Sequence, residues 1–222
     1  MTYSKKLQEL IDKTKRIIHS FPLQFKEGMT EKELLKNVKK LWLENKGDRL
    51  TFSFKPIVAF GKNSATPHHK MNDTKLKKGD VVKIDLGLKK NSLLTDLTRT
   101  FIFGSKNNKF VQIEKAVKEA QRRAIEKIAP GVESYIPDKA ARDYLTSKGF
   151  GKYFIHGTGH GIGPRIHERP HLVQNRKVLS HIPLKIGDIV TVEPGVYLKG
   201  QFGYRKEDMV LLTKDGARAL SM

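Results

Sequence analysis

The chain has 222 residues, with 38% hydrophobic and 30% charged side chains, and 43 basic against 23 acidic groups give it a formal net charge of +20. That length supports one large mixed domain or two smaller halves with an ample core. The absence of cysteine excludes disulfides, thiolate metal sites and a thiol nucleophile. The opening MTYSKKLQELIDK has no apolar signal core, and no stretch reaches the ~20 apolar residues that span a bilayer, so a cytoplasmic location without membrane contact is expected. The positive charge is mostly lysine spread through helices and loops without an aromatic platform. It reads as a solvated face, with ribosome or RNA contact as the functional alternative.

In chain order, Leu7, Leu10, Ile11, Ile17 and Ile18 form one helical stripe over residues 4–19. Thr30 and Glu33 make a capping box that opens a second helix through Leu34, Leu35, Val38, Leu41 and Trp42, ending near Lys46-Gly47. Phe110, Ile113, Val117, Ala120, Ala124 and Ile128 mark a third helix. After Pro-Gly-Val comes a shorter one around 137–147, ending at Lys148-Gly149. The strand segments repeat more sharply: LKKGDVVKIDLG (76–87) aligns without a gap on LKIGDIVTVEPG (184–195), so Asp85 falls on Glu193, Asp80 on Asp188 and Gly87 on Gly195. Self-similarity of this kind predicts two pseudo-symmetric halves, each a helix pair with strands, over roughly 4–104 and 109–215.

In VVKIDLGL, Val82, Ile84, Leu86 and Leu88 alternate onto one face and leave Asp85 on the other. A hairpin turning at Lys90-Asn91 would set Asp96 directly opposite Asp85, since Asn tolerates positive φ. Facing residues on one side of such a pair have Cβ atoms roughly 4.5–5.5 Å apart, and two carboxylates that close repel unless a cation lies between them. The second half repeats the device with Glu193 in TVEPG and Glu207 in GYRKED on the returning strand. Four acids together with imidazole from HGTGHGIGPRIHERP (156–170) form an oxygen and nitrogen donor set. It suits manganese, cobalt, iron or zinc, and bridging carboxylates would admit two ions. The glycine-rich stretch lacks the Lys-Ser/Thr and helix start of a phosphate loop, so its glycines are read as allowing close backbone approach.

DVVKIDLG with TDLTRTF, then HGTGHGIGPRIHERP, VEPGVY and GYRKEDMVL, resemble the pita-bread metallopeptidases, a superfamily including methionine aminopeptidase, aminopeptidase P, prolidase and creatinase. The resemblance covers nearly the whole chain. It implies an α+β pita-bread fold, with a curved antiparallel sheet between the two halves, and a single catalytic domain over 1–222 without the N-terminal domain of creatinase type. It also implies two divalent metal ions, manganese first, held by Asp85, Asp96, His160, Glu193 and Glu207, with Asp96 and Glu207 bridging. The attacking species would be a metal-bridging water, with Glu193 as proton acceptor. His68 matches a histidine that contacts the scissile amide region, His167 one that stabilises the tetrahedral intermediate or shuttles a proton, and His156 a substrate-pocket histidine of the proline-specific branch. Arg205, two residues before Glu207 and so on its face, would orient a ligand carboxylate.

PIVAFGKNSATPHH and GYRKED resemble the proline-specific members, so the expected reaction is hydrolysis of the N-terminal Xaa-Pro bond of peptide substrates. The single-domain layout resembles methionine aminopeptidase instead, and LLTD before Asp96 departs from the family pattern and leaves substrate preference open. Removal of initiator methionine is therefore the first alternative, and a non-catalytic protein- or RNA-binding module of the same fold is the second. A homodimer is a further expectation. His19, His69, His171 and His181 are read as ordinary surface or core residues. Asp80 and Asp188 are read as turn residues, and Asp208 as pointing away from Glu207's face.

Overall fold

A computed structural model describes residues 3–42, 50–174 and 182–222. Helix α1 (Lys5–Ser20) starts where the Ser4 hydroxyl accepts from Leu7 N at 3.2 Å. Helix α2 (Glu31–Trp42) opens on the expected capping box: Thr30 N donates to Glu33 Oε2 at 2.8 Å, and Glu33 N to Thr30 Oγ1 at 3.2 Å. Its anticipated end at Lys46-Gly47 lies outside the described residues. Helix α3 (Asn108–Glu126) is capped by Asn107, and α4 (Ile136–Ser147) follows after a short turn.

The first half holds β1 (Thr51–Phe52), β2 (Ile57–Phe60), β3 (Val81–Leu86), β4 (Leu88–Lys90), β5 (Leu93–Leu94) and β6 (Leu97–Ile102). The second holds β7 (Gly159–Gly161), β8 (Glu168–Leu172), β9 (Ile189–Val192), β10 (Gly195–Leu198), β11 (Phe202–Arg205), β12 (Asp208–Thr213) and β13 (Gly216–Ala219). The strands pair antiparallel in the orders β2-β3-β6 and β13-β12-β9-β7-β8, with β1-β4-β5 and the β10-β11 ribbon as smaller sheets. One core joins Leu7, Ile11 and Leu34 of the first helix pair to Val82, Ile84 and Leu86, the face the alternation assigned to it. A second core joins Phe110, Val117 and Leu145 to Val190, Val192 and Val210. Burying such faces supplies most of the driving force that holds helices on a sheet.

The twin construction extends to individual hydrogen bonds. Lys77 N donates to Asp80 Oδ2 at 2.9 Å, and Lys185 N to Asp188 Oδ2 at 2.8 Å, so both aspartates tie turns. Gly79 and Gly187, at φ of 89° and 93°, bond the carbonyls of Phe103 and Leu212. Those two residues donate back to Asp80 O and Asp188 O.

The hairpin register corrects one expectation. Lys90 pairs with Leu93 and Asp85 with Thr98, so the turn lies one residue later than expected, at Asn91-Ser92, and Asp96 falls opposite Gly87. Asn91 does take positive φ, at 55°. Because the slip moves the partner by two places, the period-2 alternation keeps both carboxylates on one face, as diagonal rather than direct neighbours.

The glycines of HGTGHGIG serve close approach. A Cβ on Gly159 would lie 1.9 Å from the Thr191 carbonyl oxygen of β9. Gly159→Ala is therefore expected to push β7 away from β9 and cost about 1–3 kcal/mol, measured as a shift in denaturant midpoint against the parent chain. An unchanged midpoint would show that the strand approach is not tight.

Candidate functional site

The predicted acids arrive from both halves at strand ends. Asp85 is on β3, Asp96 immediately precedes β6, Glu193 follows β9, and Glu207 joins β11 to β12. His160 sits in the middle of β7, its backbone N bonded to Thr191 Oγ1 at 3.2 Å. Two backbone bonds hold the joins: Glu193 N donates to Thr158 O at 2.6 Å, and Glu207 N to Thr98 O at 3.1 Å. Val192 pairs with Asp208 and Gly195 with Arg205, which brackets Glu193 opposite Glu207.

One ligand atom each of Asp96, His160 and Glu207, all buried, lies within 4.8 Å of the others. His160 Nε2 is 3.9 Å from Asp96 Oδ2 and 3.5 Å from Glu193 Oε1. Asp85 Oδ2 accepts from Arg205 Nη2 at 2.5 Å, while Asp85 Oδ1 is buried with no hydrogen-bond partner. A buried carboxylate oxygen without a partner is costly, and a cation beside it would remove that cost. The hard oxygen donors and one imidazole fit a divalent ion.

Electrostatics point the same way. Burial first, then the charges of its acidic neighbours, raises Asp96 and Glu207 well above the usual carboxylate range. Burial lifts Glu193 to about 7, with Asp85 adding to the rise and Arg205 opposing it. Burial lowers His160 to about 4, which leaves a neutral imidazole whose Nδ1 lies 3.0 Å from Gly161 O.

Arg205, 1% exposed, is the hub on the cationic side. Besides Asp85, it donates from Nε to Thr98 Oγ1 at 3.0 Å and from Nη1 to Tyr197 Oη at 3.1 Å. Thr98 in turn donates to Glu207 Oε2 at 2.8 Å, so one guanidinium orients two of the acids. His156 is a step away, its Nε2 2.7 Å from Tyr197 Oη, and burial followed by the charge of Arg205 lowers it to about 3.

The four acids, His160 and Arg205 line a cleft of about 250 Å³ together with His68, His167 and an apolar wall that includes Phe54, Ile57, Met71 and Ile166. The His167 ring lies 4.3 Å from that of His160, centroid to centroid. His156 lines a second cleft that shares His68, His160 and His167 with the first. His171, read as ordinary, also lines that second cleft. His69, also read as ordinary, bonds buried Glu31 at 2.8 Å and lines the first cleft, whereas His19 packs edge-on to Phe101. His181 lies outside the described residues. Asp208 faces away as expected, paired with Arg99 at 2.6 Å.

Sequence reasoning missed Tyr197, Thr98 and Lys83. Lys83 is fully buried and gives its ammonium hydrogens to Thr66 O at 2.7 Å and Pro67 O at 3.1 Å, just before His68. Burial, then the charge of Arg205, holds its pKa well below the usual range. Its position on Asp85's face of β3 was the available signal.

The raised acids make metal-free stability depend on pH with a definite sign. Between the ordinary value of 4.5 and about 7, folded Glu193 holds a proton that the unfolded chain releases. Asp96 and Glu207 act in the same direction, so stability falls as pH rises. His156 and His160, with lowered values, pull the opposite way only below the unfolded histidine value of 6.5, and above it Lys83 and Lys206, lowered by burial, oppose the three acids without outnumbering them. Chelator-treated protein is therefore expected to melt at progressively lower temperature as pH rises above about 6.5, and saturating divalent cation should suppress the fall. A melting temperature that climbs over that range would contradict this account of the charges.

Comparison with known proteins agrees with this geometry. Residues 5–214 match metallopeptidase family M24. The chain is 40% identical over 195 residues to a Xaa-Pro dipeptidase of Pyrococcus furiosus, covering 88% of this chain and 54% of that one. Among solved structures, the X-Pro aminopeptidase of Thermotoga maritima superposes with a TM-score of 0.91 at 33% identity, over all of this chain and 62% of the other. The prolidase of Pyrococcus furiosus gives 0.91 at 36% identity, over all of this chain and 65% of the other. The chain thus spans between about half and two thirds of the length of these relatives. Among the described residues no helix is long and apolar enough to cross a membrane. The architecture is the expected pita-bread fold, and the chain belongs to the M24 family of metallopeptidases.

Proposed function

We propose that this chain hydrolyses the N-terminal peptide bond of Xaa-Pro substrates with two divalent metal ions, manganese first. The convergence of Asp96, His160 and Glu207 within 4.8 Å, next to the unpartnered Asp85 Oδ1, carries the reading. Asp85, Asp96, His160, Glu193 and Glu207 are the residues that would hold the ions. When bound, such ions supply Lewis acidity and a water acidic enough to attack at neutral pH.

The protein groups then divide the remaining work. Glu193, a carboxylate lining the cleft with Oε1 3.5 Å from His160 Nε2, would take a proton from the attacking water and return it to the departing nitrogen. His68 is kept neutral by burial and by the charge of Arg205, so it can hydrogen-bond the substrate amide region without adding charge. His167, beside His160 in the same cleft, would stabilise the oxygen on which charge develops. Arg205, through Thr98 and directly at Asp85, holds the acids in their orientations.

Support for proline comes from the cleft and from the relatives. The apolar wall of Phe54, Ile57, Met71 and Ile166 suits a pyrrolidine ring, which needs no hydrogen-bond acceptor for an amide hydrogen. The names carried by the relatives from Pyrococcus and Thermotoga specify Xaa-Pro substrates.

Manganese-loaded protein is expected to release the first residue of Xaa-Pro or Xaa-Pro-Xaa peptides and to leave Met-Ala-Xaa intact, read by amino-acid analysis. Methionine release would assign it to initiator-methionine removal, and bound metal without any cleavage would leave a binding module. Asp96→Ala or Glu207→Ala is expected to lower kcat/KM by about a hundredfold or more. His68→Ala should slow turnover by about a hundredfold with metal still bound, as calorimetry would show. Wild-type turnover in Asp96→Ala would sink the two-ion reading.

A further inference from the structure

Outside the cleft, Glu31 and Asp138 are fully buried carboxylates that the mechanism does not use. Glu31 lies in the first turn of α2, and Asp138 in the first turn of α4. Both occupy the same station in the twin plan, and neither lines either cleft.

Glu31 spans the two ends of one loop. Its Oε1 accepts from Phe60 N at 2.9 Å and Asn63 Nδ2 at 2.9 Å, and its Oε2 accepts from Asn72 N at 2.8 Å. Oε2 also meets His69 Nε2 at 2.8 Å. The chain between Phe60 and Asn72 carries His68. Asp138 does the same in the other half. Its Oδ1 accepts from Thr158 N at 2.9 Å and Thr158 Oγ1 at 2.8 Å, and its Oδ2 accepts from Gln174 N at 2.9 Å. The chain between Thr158 and Gln174 carries His160 and His167. Arg142 bonds both Asp138 oxygens at 3.1 Å and extends the hold to His156 O at 2.8 Å.

We propose that Glu31 and Asp138 are positioning residues, each closing with one carboxylate the loop that presents site histidines: Glu31 for His68, and Asp138 for His160 and His167. The inference rests on the peptidase reading for its kinetic consequence, though not for its structural one. The physical reason is that a carboxylate accepts up to four hydrogen bonds and donates none. It can therefore gather two backbone N–H groups from opposite ends of a loop. An amide of the same shape would present a donor to one of them and leave a buried N–H without a partner.

The two clasps have separable signatures. Glu31→Gln is expected to speed hydrogen–deuterium exchange over residues 60–72 and leave 158–174 unchanged, and Asp138→Asn should do the reverse. Only the second loop holds a proposed metal ligand. Asp138→Asn should therefore weaken manganese binding by about tenfold or more, by calorimetry, whereas Glu31→Gln should not. Glu31→Gln should lower kcat about tenfold with little change in KM, and in a His68→Ala background it should add almost nothing. If either variant fails to fold, His69→Gln and Arg142→Lys each weaken one arm of a clasp and carry the same loop-confined expectation. Exchange that rises across the whole chain, or a Glu31→Gln loss that multiplies undiminished on His68→Ala, would overturn the proposal. If the parent protein cleaves no peptide, the functional reading falls alone, and exchange and manganese calorimetry still decide the clasps.

Discussion

Four acid side chains brought together in a partly closed cleft set the terms for the rest of this structure. At an effective dielectric of about 20, two like charges 4 Å apart repel by roughly 4 kcal/mol, and Asp96, Glu193 and Glu207 meet that repulsion from several sides. Arg205 and Lys83 are the buried cations beside them, and Lys83 spends its hydrogens on carbonyls rather than on the acids. The site as the protein builds it therefore has an excess of negative groups, which shows in raised carboxyl pKa values and in an Asp85 oxygen without a partner. Holding such a cluster requires rigid strand ends, paired backbones and two separate cores behind it. The fold supplies these from two halves, neither of which contains the whole donor set.

That division explains what the amino-acid order made legible. The helical stripes, the Thr30–Glu33 capping box and the repeat of LKKGDVVKIDLG in LKIGDIVTVEPG are local, and each follows from periodicity or from neighbouring residues. Asp85's face was legible for the same reason, because alternation survives a two-place slip of register. The turn position was not, since Lys90-Asn91 and Asn91-Ser92 are nearly equivalent as local choices. The observed pairing needs a glycine at Gly87, where an added Cβ would lie 1.7 Å from the Thr95 carbonyl. Glu31, Asp138, Tyr197 and Thr98 act through partners tens of residues or more away in the chain or across the two halves. No spacing rule connects Thr98 to Glu207, and only the meeting of β6 with the β11–β12 join does so.

A buried polar network stitches the two halves together. Arg99 on β6 bonds the Asp208 carboxylate and the Ser221 carbonyl, and Lys206 and Gln121 reach the same aspartate. Burial alone would raise Asp208, yet the charges of Arg99 and Lys206 hold it below the ordinary carboxylate value. Asp208 and Glu207 are adjacent in the chain and equally hidden, but one is a fully partnered ion and the other is a member of a crowded acid cluster. Sequence position and burial do not distinguish them; strand parity does, because it turns Asp208 toward the cationic seam and Glu207 toward the cleft.

Parity and register also show where the twin plan is broken, and the break accounts for the charge of the site. Asp85 and Glu193 are equivalent, and so are Gly87 and Gly195. Asp85 pairs with Thr98, and the ladder sets Glu207 opposite Glu193, so Thr98 and Glu207 are equivalent. Two residues earlier on each returning strand stand Asp96 and Arg205. The halves thus differ at the two inward-facing places nearest the cluster: hydroxyl against carboxylate, and carboxylate against guanidinium. Copying the first half twice would give four aspartates, two threonines and no arginine. Copying the second would give four glutamates with two arginines, which could pair with them and leave little need for a metal ion. Only the mixed pair yields carboxylates facing a single guanidinium, with Thr98 passing one of its hydrogen bonds to Glu207. The asymmetry between two otherwise matching strands sets one guanidinium against four acids, an excess of negative groups that a cation would offset.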